Sequence, residues 1–186
     1  MAAKKVSEKK VVSKKAAPKK AATKKNAKSV PLVIKVPQGN QVIRTFHLTP
    51  SLPIDGQAVN WLLVDPAKPK KDIDSLVVSF SIKSSTFEQE FERAILEIKM
   101  QQNPNDKGVW RFMGTGVAVN PKYSDVNHDV AVEIVDQGLT LIAQIQVIGD
   151  THEEIKFSYV ASFTDKNSGA VSIYESQDPE IQPRRP

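Results

Sequence analysis

The sequence predicts an all-β protein, an antiparallel β-sandwich preceded by a basic arm. Apolar and polar residues alternate in many short segments, and Gly, Pro, Asn or Asp separates nearly every pair of these segments. No long helical pattern intervenes between them. Strands at this spacing, without long helices, are typical of two antiparallel sheets packed face to face. We therefore expect one β domain over residues 30–183, with nine to ten short strands in an Ig-like or similar sandwich.

The alternation is clearest in Ser75–Lys83, where Leu76, Val78, Phe80 and Ile82 share one face. A strand with one buried and one solvated side has this pattern, and we place Leu76–Ile82 in the core. The other predicted strands are 31–36, 41–48, 57–64, 94–101, 109–113, 129–135, 139–148, 154–163 and 170–174.

Three short segments predict the connections between these strands. Ser85 followed by Glu88 is a capping-box pattern, which predicts one helical turn over residues 86–92 before the strand at 94–101. The residues 136–138, Asp-Gln-Gly, predict a tight hairpin. The residues 114–116, Gly-Thr-Gly, lack the lysine and the helix of a phosphate loop and instead predict a bulge or tight turn.

Charge divides the chain into two parts. Residues 1–28 hold eleven lysines and one acidic residue, a formal charge of +10, whereas the rest holds fifteen basic and twenty acidic residues, a formal charge of −5. Residues 1–28 also contain no aromatic residue and no glycine. Because such a segment cannot bury a core and its lysines repel one another, we expect it to be disordered when free.

The basic arm, residues 1–28, is periodic. From Lys4 it reads KKVSE, KKVVS, KKAAP, KKAAT and KKNAK, five pentads that each open with a lysine pair. On a helix the pairs would spiral around the axis, so an extended arm that neutralises phosphates is the better interpretation. The predicted polyanion-binding residues are Lys4, Lys5, Lys9, Lys10, Lys14, Lys15, Lys19, Lys20, Lys24, Lys25 and Lys28.

The string KKAAPKKAATKK resembles the lysine-, alanine- and proline-rich tails of linker histones and bacterial histone-like proteins. The resemblance covers residues 4–28 and implies nucleic-acid binding without sequence specificity. Two other interpretations stay open: an arm that only keeps the protein in solution, and an arm that docks on an anionic surface.

The body resembles the DP-EP group of uncharacterised bacterial β proteins. Its length, its run of strands and its closing SIYESQDPEIQP carry the resemblance, together with Asp65-Pro66 and Asp178-Pro179. The chain contains no Glu-Pro dipeptide, and in this it departs from the pattern that the group's name suggests. The resemblance implies a β fold and a bacterial origin, and it carries no activity.

No residue pattern indicates catalysis, a metal or a cofactor. The chain has no cysteine, and His47, His128 and His152 are far apart in sequence, with no second histidine at ligand spacing. The acidic groups are expected to be solvated surface charge, and they are Asp72 and Asp74, then Glu88, Glu90 and Glu92, then Glu153 and Glu154. We therefore predict no enzyme activity, no cofactor, no metal site and no catalytic residue.

Aromatic and basic residues of the body allow a second nucleic-acid surface to be considered. Trp61, Trp110, Phe112 and Tyr123 would stack bases in a single-strand binder, but in an acidic body core packing is the better interpretation. Two small basic groups are expected to be exposed, one in a proline-rich loop and one at the C-terminus. They are Lys68, Lys70 and Lys71, and Arg184 and Arg185.

These observations predict a non-enzymatic protein whose arm binds nucleic acid or another polyanion, with a β body that contacts an unknown protein partner. The alternative is a structural or interaction module whose arm only solubilises it or docks it on an anionic surface. No segment is apolar for long enough to span a membrane, and the N-terminus has no signal-peptide core. We therefore expect a cytoplasmic location, with the nucleoid as a candidate place within it.

Overall fold

The computed structural model describes residues 31–54, 61–104, 106–119, 130–149, 155–177 and 180–185. These ranges contain eleven strands and one short helix, so the predicted all-β class is confirmed. The helix is α1, Thr86–Gln89. The strands are β1 Leu32–Lys35, β2 Gln41–Thr49, β3 Leu62–Val64, β4 Ser75–Ser79, β5 Arg93–Met100, β6 Gly108–Val119, β7 Val130–Val135, β8 Thr140–Ile145, β9 Ile155–Asp165, β10 Val171–Glu175 and β11 Glu180–Arg184.

The strands form two sheets. The first has the order β1-β4-β11-β9-β10, with β6 also paired to β9, and the second has the order β3-β2-β5-β8-β7. The hairpin predicted at residues 136–138 is present, because β7 and β8 are antiparallel and a 3₁₀ turn, Asp136–Gly138, joins them. The predicted helical turn is also present, shortened to α1 and capped by Ser85.

Three strand pairs among the described residues are parallel rather than antiparallel. They are β1 with β4, β4 with β11, and β2 with β5. Between β2 and β5 the chain adds β3 to the second sheet and β4 to the first, so it returns beside β2 by a long crossover, as parallel pairing requires. Apolar alternation is the same in both orientations, so the residue pattern alone does not distinguish them.

Strand β4 is shorter than the sequence predicts. It ends at Ser79, and Ile82, which was expected in the core, is 64% exposed. The reason is that the chain turns at residues 82–83 to reach α1. The prediction for Leu76, Val78 and Phe80 holds, since all three are buried.

Strand β11 has no counterpart among the predicted strands. Pro183 lies inside β11. Because proline has no N–H to donate to a neighbouring strand, its presence disfavours a central strand. The structure accommodates this proline because β11 pairs with β9 only through Glu180 and Ile181, so that at Pro183 it has β4 as its one paired neighbour. Locally, Pro183 therefore occupies an edge position.

The core lies between the inner faces of the two sheets and is built around Trp110. This side chain is fully buried, and its ring packs against Trp61, Phe163 and Tyr174 at centroid distances of 5.6, 4.9 and 5.4 Å. Phe112 is also buried. Core packing is therefore the role of these aromatic residues, and base stacking is not.

Candidate functional site

Among the described residues, the one histidine does not form a metal site. His47 lies on β2, opposite Val64 and Lys99, and is half-buried on the outer side of its sheet. His128 and His152 lie outside the described residues, as do Tyr123, Glu153 and Glu154. Within the described ranges no three His, Cys, Asp or Glu side chains come together in a group suited to a metal ion.

Most of the described acidic groups are at the surface, as predicted. Asp72, Asp74 and Glu90 are exposed. Although the Asp72 residue is exposed overall, partial burial of its carboxyl and the neighbouring charge of Asp74 raise its pKa. Glu88 completes the capping box, and hydrogen bonds from the backbone and hydroxyl of Ser85 lower its pKa.

Glu92 contradicts the prediction that it is solvated, and Arg185 contradicts the prediction that it is exposed. Their relative exposures are 0% and 1%, and Nη2 of Arg185 donates to Oε2 of Glu92 at 2.6 Å. Arg184 is exposed as predicted. The structure therefore holds a buried ion pair where two surface charges were expected.

The ion pair gathers groups from several connections at one end of the sandwich. Glu92 Oε1 accepts from the backbone N–H of Gly39 at 2.8 Å and from the Ser84 hydroxyl. Arg185 Nη1 donates to the carbonyl of Ser81 at 2.5 Å, and its Nη2 donates to that of Val147 at 2.9 Å. Three segments that are distant in sequence, around Gly39, residues 81–84 and Val147, are thus fixed to one pair of charges.

Electrostatics keeps Glu92 ionised. Burial by itself would raise its pKa, but the hydrogen bonds from Ser84 and Gly39 and the nearby Arg185 together outweigh burial and hold the pKa below its usual value. The guanidinium also lies over the Phe80 ring, 5.2 Å from its centroid. A carboxylate with a lowered pKa and full burial is poorly suited to proton transfer, so the cluster is a structural connection.

The residue alternation next to Glu92 was a local signal for its burial, and Arg185 had no such signal. Glu92 precedes β5, where Ala94, Leu96 and Ile98 point inward, and it has the same parity. Arg185 has the parity of Ile181, which is buried in β11. Extending the alternation of β5 by one more position would have predicted an internal Glu92, whereas β11 was not predicted and its parity could not be applied to Arg185.

A cavity of about 320 Å³ lies between the two sheets. Its walls come from β5, β7 and β8 of the second sheet and from β6, β9 and β11 of the first. The fully buried part of its lining is Ile98, Leu141, Ala143, Phe157 and Ile181. No charged side chain belongs to the part of the lining that the structure describes.

The bulge predicted at residues 114–116 is confirmed and forms one side of this cavity. The pairing of β6 with β9 changes register between Phe112 and Val117. Gly116 has φ +78°, and a Cβ at this position would lie 2.6 Å from Cδ1 of Leu141. The backbone conformation therefore favours glycine here, and a Cβ would also have to displace the end of the Leu141 side chain.

A comparison with known protein families finds a family that matches the body of this chain. The DP-EP family matches residues 29–185. This chain belongs to the DP-EP family. A search of curated proteins finds no match. Membership confirms the resemblance noted for the body, and the resemblance of the arm to histone-like tails stays a prediction.

The one described dipeptide of the two that suggested the DP-EP family, Asp65-Pro66, is not part of the described cavity lining. Asp65-Pro66 begins a turn, in which Lys68 N donates to the Asp65 carbonyl at 2.8 Å and Ala67 N donates to its side chain at 2.8 Å. Asp178-Pro179 lies outside the described residues. The described dipeptide therefore has a local structural role, because a proline at the second position fixes the turn.

The basic residues that the sequence singles out are a loop group, predicted to be exposed, and the arm lysines, predicted to bind polyanions. Lys68, Lys70 and Lys71 lie on an exposed loop, as expected. The eleven lysines of the basic arm lie outside the described residues.

In the described ranges, no helix is both long and apolar enough to cross a membrane.

Proposed function

We propose that this chain is a non-enzymatic protein that binds nucleic acid, or another polyanion, without sequence specificity through residues 1–28. The β body supplies an interaction surface for a protein partner. We place this activity in the bacterial cytoplasm, with the nucleoid as the candidate location.

The proposal rests on the separation of charge between the arm and the body. The arm has a formal charge of +10 and the remaining residues −5, so attraction for phosphate is concentrated in the arm. An extended pentad spans about 16 Å and presents a lysine pair. Duplex DNA carries one charge per ~1.7 Å of its axis, so every pentad meets phosphates wherever the arm lies.

The body adds little to this attraction. Arg185 is buried against Glu92, which removes one of its cations from any binding surface. Lys68, Lys70 and Lys71 form an exposed basic loop, but the acidic residues of the body outnumber its basic ones. The strand that follows the arm in sequence, β1, lies at the edge of its sheet.

The test compares two full-length variants by fluorescence anisotropy with a labelled DNA duplex. In the first, all eleven arm lysines are replaced by Gln. In the second, Lys68, Lys70 and Lys71 are replaced by Gln, which removes charge from an exposed site in the body. We expect the first variant to lose nearly all affinity and the second to bind almost as the unmodified protein does.

The salt dependence identifies the mechanism. Counterion release gives a log–log slope of about −0.9 per phosphate, so a flexible arm with this many lysines should give about −4 to −8. Binding that survives replacement of the arm lysines would contradict the proposal. A second outcome would support the alternative, a structural or interaction module whose arm only solubilises it or docks it on an anionic surface. In that outcome the unmodified protein binds no polyanion, and the variant without arm lysines still binds a protein partner.

A further inference from the structure

The cavity between the sheets differs from the rest of the core. Protein interiors are close-packed, and few of their voids exceed a water molecule. This cavity has a volume of about 320 Å³. An engineered apolar cavity of about 150 Å³ is known to stay dry and to bind benzene, so roughly twice that volume suits a two-ring molecule.

Small side chains keep the space open. Ala143 faces it from β8, and Val130 and Val132 face it from the neighbouring strand β7. Across the space, Val117 and Val119 follow the bulge of β6. Leucine or phenylalanine at these positions would fill the cavity, as such residues do elsewhere in this core.

The lining has a buried end and an accessible end. Ile98, Leu141 and Ala143 are buried, whereas Val130 and Val132 are only half-buried and Thr115 is exposed. The described walls therefore leave a mouth near β7 and the bulge through which a small molecule can enter.

The chemistry of the lining defines the ligand. Thr115 contributes the one hydroxyl of the described lining, and it already donates to the carbonyl of Val117 at 2.6 Å. A bound water needs two to four polar partners, which these walls do not supply. A charged ligand would lose its hydration without compensation.

We propose that this cavity is a binding site for a compact, uncharged, apolar molecule of about two-ring size. The site lies within the β body, and it does not depend on the proposed role of the arm. Burial of the ligand's apolar surface drives binding, and the shape of the cavity limits its size.

The test titrates the full-length protein with 1-aminonaphthalene, a two-ring probe that is uncharged at neutral pH and whose emission shifts to shorter wavelength in apolar surroundings. We expect saturable binding of one probe per chain. Ala143→Leu adds three carbon atoms inside the cavity and should weaken binding by at least about tenfold, because these atoms occupy part of the ligand's space. Ala131→Leu is the matched control, since Ala131 is exposed on β7 beside Val132 and should bind as before.

Two further measurements keep the test decisive. If Ala143→Leu fails to fold, as judged by its circular dichroism, Val132→Phe blocks the mouth from a half-buried position and should give the same loss. Methyl NMR should show shifts for Ile98 and Leu141 on adding probe, while Leu48, buried outside the described lining, stays unchanged. Absence of saturable binding, equal binding by a folded cavity variant, or shifts confined to other methyl groups would overturn the proposal.

Discussion

Glu92 and Arg185 are 93 residues apart in sequence, yet their side chains form an ion pair of 2.6 Å that is shielded from solvent. Glu92 stands between α1 and β5, and Arg185 follows β11, so the pair connects the two sheets near one end of the sandwich. Taking two charges out of water is costly unless each is paired and hydrogen-bonded. Here the two charges are paired and both Nη atoms of Arg185 donate hydrogen bonds, whereas its buried Nε has no partner among the described residues.

Arg185→Met should destabilise the protein by about 3–5 kcal/mol, because it leaves the Glu92 carboxylate buried without its partner. Urea unfolding followed by tryptophan fluorescence measures this loss. Arg184→Met is the control, since its exposed side chain should change stability by less than about 0.5 kcal/mol. The double variant Glu92→Met with Arg185→Met should regain much of the loss. Equal stability of the two arginine variants would show that the pair contributes nothing.

The stability that ionised Glu92 provides should depend on pH. Its pKa is lower in the folded protein than in the unfolded chain, where it is about 4.3. The contribution is therefore fully present above the unfolded value and is lost as pH falls through the folded one. The stability difference between the unmodified protein and Glu92→Gln should accordingly begin to shrink as pH falls below about 5. The control Glu90→Gln, at an exposed position, should show no such trend, and a constant difference for Glu92→Gln would contradict this prediction.

Gly116→Ala should destabilise more than Gly114→Ala. Both glycines have positive φ, +78° and +65°, so alanine is strained at either position. Only at position 116 does the added Cβ meet other atoms, Cδ1 of the buried Leu141 at 2.6 Å, whereas nothing lies within 4 Å at position 114. We expect an additional loss of about 1–3 kcal/mol from overpacking, measured by thermal unfolding of both variants. Equal losses would mean that Leu141 moves aside at no cost.

Tyr159→Phe should leave stability unchanged or raise it by about 1 kcal/mol at neutral pH. The hydroxyl of Tyr159 is buried and has no hydrogen-bond partner among the described residues. Burial also raises the pKa of this hydroxyl far above its usual value, so the unmodified protein should lose stability as pH rises above about 10. Tyr159→Phe should lose less at that pH in chemical unfolding. Clear destabilisation at neutral pH would reveal a partner for the hydroxyl.

Replacing Lys9 and Lys10 by Gln should reduce the salt slope of DNA binding by about two units, and replacing Lys19 and Lys20 should have the same effect. The equivalence follows from the repeat, since no pentad holds a side chain suited to read a base edge. Anisotropy titrations at several salt concentrations measure both slopes. A single dominant pentad, or strong preference for one DNA sequence, would point to recognition by the body.

Much of the fold was predictable because its signals are local. Alternation located ten of the eleven described strands, and Ser85 with Glu88 located α1. The unpredicted strand, β11, contains Pro183, which local propensity disfavours and which only the position of its neighbours makes acceptable. Of the features that shape the cavity, the bulge was expected from its two glycines, whereas the space opposite it was not.

The sequence by itself determined the all-β class, the hairpin at residues 136–138, the bulge and the separation of charge between arm and body. Each of these follows from the identity of adjacent residues, through side-chain period, turn chemistry or formal charge. Only the tertiary structure decided the parallel pairing of β2 with β5, the burial of Glu92 against Arg185 and the cavity beside Ala143. These depend on which distant segments pack together, because pairing, desolvation and unfilled volume are properties of neighbours in space.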